Sequence, residues 1–355
     1  MRALPGKKND PGNAPAGGIL RGLPVLFMLL ACFLSAALTG CGKKDDTQEV
    51  LVKPDGEEHP VSVSEMTEGS GSGRSVYLVV PSEEGTALDE IQILTEAAVE
   101  AGASMTVLNY MNDPIAEAAA IEQAVREKAS VILCDNIDET QTLRGIRKAK
   151  ENNIPVFLLG RGIESMGMAS AQILTERYTC VRKMGEEYAA ENKKGSAYVM
   201  VRSTGTEDDL AEAFSSVMAG RTGFAELGSS VTNGQEEGEA YDAAWELLHE
   251  HPNADTIVCV TSVQALAAAD AAADQGLHLR VMCLAGDTDE IVQYVEEGKI
   301  YAAIVKPAAE LAKRAARSLG EYLSTGELPG TECYYIQGEI RRSGSGESAQ
   351  SEPEE

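Results

Sequence analysis

From about residue 75 to residue 342, short β-branched runs alternate with segments whose apolar residues recur at helical spacing, and this alternation is what most limits the fold. A strand followed by an amphipathic crossover helix brings the chain back beside a parallel neighbour, so the repeat builds a doubly wound α/β sheet. Residues 76–80 read as a buried strand. Leu88, Ile91, Leu94 and Ala98 follow on one helical face, and Gly102 is placed to end that helix. After a strand at 105–108, Asp113 and Pro114 read as the N-cap and first position of a helix. Strands at 131–134 and 155–159, separated by a helix over 140–151, complete four strands.

Beyond a stretch rich in Gly, Ser and Met the alternation restarts. Helices are expected near 182–192, 210–224, 237–249, 263–275 and 290–296, with strands at 197–201, 226–231, 256–260, 280–284 and 301–305. A last helix carries Leu311, Ala315, Leu319 and Tyr322 on one face and precedes a short strand near Tyr334 and Tyr335. The expectation is two doubly wound parallel-sheet (Rossmann-like) domains. Ligands of such sheets collect outside the carboxyl ends of the strands, so two of them facing each other form an interdomain cleft.

The amino-terminal end has a different character. Arg2, Lys7, Lys8 and Arg21 precede an apolar run over 23–38, the pattern of a secretion signal; a bilayer span needs about twenty apolar residues, so a retained helix is the lesser alternative. The run ends in Leu38-Thr39-Gly40-Cys41, which resembles a bacterial lipobox and implies that Cys41 becomes the first mature residue and carries a diacylglyceryl group. Residues 42–74 are acidic and include Gly69-Ser70-Gly71-Ser72-Gly73, the composition of a flexible tether. Residues 343–355 read as a disordered acidic tail.

A net charge of −26 opposes binding to nucleic acid or an anionic surface through a broad basic face. The acidity extends through the core and hints at neutral polar or cationic solutes. Catalytic and metal-binding motifs are missing from the sequence. His59, His249, His251 and His278 read as solvated, and a two-residue spacing keeps His249 and His251 off one helix face. No phosphate-binding loop or nucleophile elbow occurs, so the chain reads as a non-enzyme without cofactor or metal. Cys134, Cys259 and Cys283 lie in strand-like runs as small hydrophobes; free thiols are preferred throughout, with a Cys180–Cys333 bridge left open. Trp245, the single tryptophan, reads as core. Asp287 reads as a helix cap with Glu290 three residues on, a role compatible with ligand contact.

Several segments together carry a family resemblance. They are Val79-Val80-Pro81-Ser82, Asn112-Asp113-Pro114, the run from Asn153 to Arg161, that from Asp255 to Val260, Ala285-Gly286-Asp287-Thr288-Asp289, and the run from Gly298 to Val305. In this order and spacing they resemble the ribose-type, type I periplasmic binding proteins. The resemblance implies a two-domain clamp with three crossovers, near residues 175–180, 306–307 and 331–334. The first lobe would comprise 75–176 plus 307–332 and the second 177–306 plus 333–342.

It also implies delivery of a small polar solute, usually a sugar, to an ABC importer permease. With the lipobox, that makes a lipid-anchored monomer on the extracytoplasmic face of the cell membrane. The alternative is a tethered sensory receptor that presents a solute to a sensor kinase or chemoreceptor. Ligand positions carried over from the family are Arg161, Asp135, Asp208, Gln235, Thr261, Asp287 and Lys306. Ala87 and Leu88 stand where relatives place two stacking aromatics, and Gln235 replaces another. The Arg161 guanidinium suits either a ligand or a structural ion pair. The implied cleft is polar and acidic: Asp135, Asp208 and Asp287 accept hydrogen bonds, while Arg161 and Lys306 donate them.

Overall fold

A computed structural model describes residues 48–52, 59–67, 73–204 and 208–344. The first lobe opens with β1 (Gln48–Val52), β2 (His59–Thr67), β3 (Ser75–Val80), α1 (Thr86–Glu100), β4 (Ser104–Asn109) and α2 (Pro114–Arg126). It continues with β5 (Val131–Asp135), α3 (Glu139–Glu151), β6 (Val156–Gly160) and β7 (Ala171–Glu176). The second lobe begins with α4 (Tyr178–Glu191), β8 (Ser196–Ser203), α5 (Asp208–Ala219), β9 (Phe224–Thr232) and α6 (Glu237–Glu250). Then come β10 (Thr256–Thr261), α7 (Ser262–Asp274), β11 (Arg280–Gly286), α8 (Asp289–Glu296) and β12 (Ala302–Val305). The chain returns through α9 (Ala308–Thr325) and ends in β13 (Cys333–Gln337) and β14 (Glu339–Arg342).

Two sheets result, ordered β1-β2-β4-β3-β5-β6-β7-β13 and β14-β12-β11-β10-β8-β9. Most neighbours are parallel, as expected of strands joined by crossover helices, but the sheets are mixed: β1 with β2, β2 with β4 and β12 with β14 run antiparallel. Strands such as Val-Ile-Leu-Cys-Asp of β5 are buried along their whole length because helices cover both faces. On one face of the first sheet Leu78, Leu133, Phe157 and Leu159 meet Leu94 of α1 and Leu311 and Leu319 of α9. On the other, Val79, Ile132 and Leu158 meet Ile121 of α2 and Ile146 of α3. Each such fully buried aliphatic side chain contributes about 1.5–3 kcal/mol of transfer free energy. Local signals agree with this packing, since Asp113 Oδ1 accepts from Ile115 N at 2.8 Å and from Ala116 N at 3.2 Å, with Pro114 first in α2.

Several expectations are corrected. The proposed tether over 42–74 contains two strands. In β2, Val61 is fully buried among Tyr110, Ile121 and Ala116, and the acidic surroundings in the sequence hide this two-residue alternation. His59, expected in solvent, is buried and pairs with Asp113 at 2.5 Å. The lobe boundary also moves, because residues 333–337 extend the first sheet beside β7 and only 339–342 join the second. Strand β7 was not expected at all. Trp245 is 37% exposed and stacks on Tyr241, with ring centroids 5.9 Å apart, one turn along an outer face of α6. Cys134, Cys180, Cys259, Cys283 and Cys333 are free thiols, so Cys180 and Cys333 are not bridged. The signal segment, Cys41 and residues 345–355 lie outside the described residues.

Candidate functional site between the lobes

The carboxyl ends of β5, β6, β11 and β12 converge on two clusters of charge. In the first, Lys306, just after β12, extends its Nζ to Asp135 Oδ2 at 2.5 Å and to Glu90 Oε2 of α1 at 3.1 Å. Its path runs over Gly160, where φ is +75° and an added Cβ would stand 3.0 Å from Lys306 Cδ and 3.3 Å from Asp135 Oδ1. Burial works to lower the Lys306 pKa, but the Asp135 and Glu90 carboxylates raise it above that of an ordinary lysine, so the amine stays charged. Glu90 is pushed up to about 7 by burial, against the pull of Lys306 and with the help of Asp135.

The second cluster centres on Asp287. Its carboxylate takes an ion pair from Arg177, at the start of α4, and a longer one from Arg161 Nη2 at 3.4 Å. Burial works to raise this carboxyl, but the Arg177 and Arg161 guanidiniums together outweigh it and hold it below the usual carboxylate range. The expected capping role is not taken: Thr288 precedes α8, with no side-chain cap, and Asp287 N donates to Ser262 Oγ at 2.9 Å. Arg161 Nη1 also donates to Ile137 O at 3.1 Å, which fixes the guanidinium against the β5–α3 turn.

Beside these clusters a cavity of about 930 Å³ opens between the loops of the two lobes. Arg161, Arg177, Thr175, Ser203, Asn233 and Gln235 supply polar groups to it, and Tyr178 and Tyr335 supply exposed rings. Its wall carries two guanidiniums and five carboxylates, those of Asp138, Glu139, Glu164, Glu176 and Asp209. Of the positions carried over from the family, Arg161 and Gln235 line this cavity, while Asp287 and Lys306 line a smaller one of about 290 Å³ beside it. Asp135 lies behind, holding Lys306. Thr261 is buried as the N-cap of α7, in a capping box with Gln264, and its Oγ1 donates to Gly234 O at 3.0 Å. Asp208 is held by Arg202 through Nη2 to Oδ2 at 2.6 Å. Ala87 is buried and Leu88 is exposed on α1; neither lines a cavity, although Thr86 and Asp89 on either side of them line the smaller one.

Residues that the sequence reading did not single out complete the site. Glu117 is fully buried and accepts from Ile137 N at 3.0 Å, Asp138 N at 3.4 Å and the Thr142 hydroxyl, so one carboxylate fastens the turn that follows Asp135. Burial pushes its pKa up to about 7 despite those donors. A lone acid within Ala116-Glu117-Ala118-Ala119-Ala120 was the available signal. Asn136 is 3% exposed, yet neither end of its amide has a hydrogen-bond partner among the described residues. The same holds for Thr175 Oγ1 and Arg177 Nε, both on residues that line the larger cavity. Buried polar atoms of this kind are normally satisfied, and two of these three residues belong to the wall of the larger cavity.

Among known proteins, the D-apiose import binding protein of Paraburkholderia graminis is 23% identical over 259 residues, covering 71% of this chain and 81% of that protein. The D-apiose import binding protein of Actinobacillus succinogenes is 24% identical over 238 residues, covering 65% of this chain and 76% of that protein. An Agrobacterium vitis ABC transporter solute binding protein, solved with α-D-tagatopyranose, superposes with a TM-score of 0.63 at 16% identity, over 76% of this chain and 95% of its own. The Caulobacter myo-inositol binding protein superposes with a TM-score of 0.61 at 16% identity, over 78% of this chain and 96% of its own. The periplasmic binding protein domain matches residues 77–328, from β3 through α9 and the loop beyond it. With that match, the two mixed sheets and the polar cleft between them, this chain belongs to the periplasmic binding protein family, type I in fold.

Proposed function

We propose that the chain captures a small hydroxyl-rich solute, a sugar or polyol, in the interlobe cleft and delivers it to an ABC importer. The observation that carries this reading is the large cavity at the strand ends, where planar guanidinium and amide groups stand beside carboxylates and two exposed tyrosine rings. Arg and Asp groups pair with sugar hydroxyls in both directions, and an aromatic ring covers the apolar face of a sugar. The surplus of carboxylates disfavours an anionic solute. Sugar-import names and sugar-bound structures among the relatives point the same way. Arg161, Gln235, Asp287 and Lys306 are the proposed ligand-facing groups. Asp135 acts through Lys306, whereas Thr261 and Asp208 shape the loops of the second lobe. The chain itself performs no catalysis.

The lipobox-like segment supports attachment through Cys41 to the extracytoplasmic face of the cell membrane, where the closed clamp would meet its permease. A thermal-shift panel of sugars, polyols, amines and amino acids on the purified protein tests the ligand class. A rise in Tm with one or a few sugars or polyols is expected, and a response confined to amines or amino acids overturns the reading. Cys41→Ser is expected to abolish metabolic labelling by a fatty acid and to release the protein from membranes.

A further inference from the structure

The turn that opens α8 reaches the first lobe twice. Asp287 meets Arg161, and two residues later Asp289 Oδ1 accepts from Thr86 N, the first amide of α1, at 3.1 Å. Helix α1 has no side-chain cap at its own N-cap position, which is Gly85 and has no side chain. The next two amides make only short turns, Ala87 N to Glu84 O and Leu88 N to Gly85 O, both at 3.2 Å. Gly85 takes φ +56°, and a Cβ there would stand 1.9 Å from Asp289 Oδ2. The bare glycine is what allows the carboxylate to sit against the helix end. A carboxylate is among the preferred helix caps, and its charge is favoured by the positive end of the helix dipole.

We infer that Asp289 is a positioning residue for ligand capture: it caps α1 from the opposite lobe, and so stabilises the closed clamp before any ligand arrives. The two turns belong to different lobes, so an opening that parts them breaks the cap and leaves the Thr86 amide to water alone; the contact then counts only while the lobes are together. Apparent affinity scales with the fraction of molecules already closed, which makes this contact a determinant of affinity outside the cavity wall. The contact is solvent-exposed, so its effect is modest and weakens with salt. The inference rests on the clamp reading only in that closure accompanies capture.

The test compares ligand-free wild type, Asp289→Ala and Gly85→Ala by amide hydrogen exchange at residues 86–88 and by small-angle scattering. Asp289→Ala is expected to raise the exchange rate at Thr86 and to move the closed-to-open ratio by about fivefold, the size of change that loss of one helix cap produces. Gly85→Ala should act in the same direction through its clash with Asp289. Asp289 is exposed at a helix start, so a retained Tm shows that its variant has folded. Unchanged Thr86 exchange in Asp289→Ala overturns the inference, and so does faster exchange without a change in scattering. Because no ligand is used, either outcome is separate from failure of the sugar reading, which the thermal-shift panel decides.

Discussion

Lys306 lies between Asp135 and Glu90, with its Nζ 2.5 Å from Asp135 Oδ2, and so ties the exit of β12 to the exit of β5. All three side chains are largely withdrawn from water. Removing the cation leaves two buried carboxylates facing each other. Lys306→Met is therefore expected to destabilise the protein by about 3–5 kcal/mol, the usual cost of breaking a buried pair from one side. Urea unfolding checks this, with the midpoint falling and the slope unchanged.

Glu117 and Glu90 give stability a dependence on pH above the ordinary carboxylate range. With the folded pKa raised to about 7, the native state holds the proton more tightly than the unfolded chain does. Protonation then favours folding, so stability declines as pH rises from about 5 to about 8 and levels off above that. For Glu117 alone the decline amounts to about 3 kcal/mol. Melting temperatures measured across this range should fall, and Glu117→Gln should flatten the slope. Asp287 and Asp113, whose pKa values are lowered, act in the opposite sense and only in more acidic solution, where their protonation weakens the fold.

Arg161, like Arg177, joins the ion-pair cluster to the cavity wall. Arg161→Ala is expected to weaken binding of the sugar found by thermal shift by about 10- to 100-fold, the range for losing a charge-assisted hydrogen bond. Arg161→Lys should recover little of it, because an ammonium cannot reproduce the planar fork that spans Ile137 O and Asp287. Isothermal titration reads both effects.

Val61 tests whether β2 belongs to the folded core. Its side chain is fully buried against the α2 face, and Val61→Ala should cost about 2 kcal/mol through lost burial and the cavity left behind. A change in a flexible tether would leave the denaturation midpoint where it was.

The sequence was most legible where two signals agreed. Strands buried on both faces, such as Val131–Asp135, read as unbroken apolar runs, and Asp113-Pro114 marked the start of α2 from both sides of the helix boundary. The β1–β2 pair was missed because β1 is a run of only five residues and the valines of β2 alternate with polar residues inside an acidic stretch, and nothing local tells such a segment that β4 will accept it. Strand β7 was missed for a similar reason: Ala-Gln-Ile-Leu-Thr-Glu is short and follows a stretch rich in glycine and serine. At the site, the family resemblance, which places ligand groups at strand ends, brought Arg161, Asp287 and Lys306 into view. Arg177 and Glu90 carry no positional signal of their own. Their importance comes from partners 110 and 216 residues away, a relationship visible only once the sheets are assembled.

Gly338 alone separates β13 in the first sheet from β14 in the second. Its amide is held by Glu176 O at 2.9 Å, and a Cβ there would stand 2.9 Å from Ile304 Cγ2. A link one residue long leaves no slack for the sheets to slide past each other. Whatever movement the lobes make must therefore turn about a point close to this glycine, with the displacement growing in proportion to distance from it.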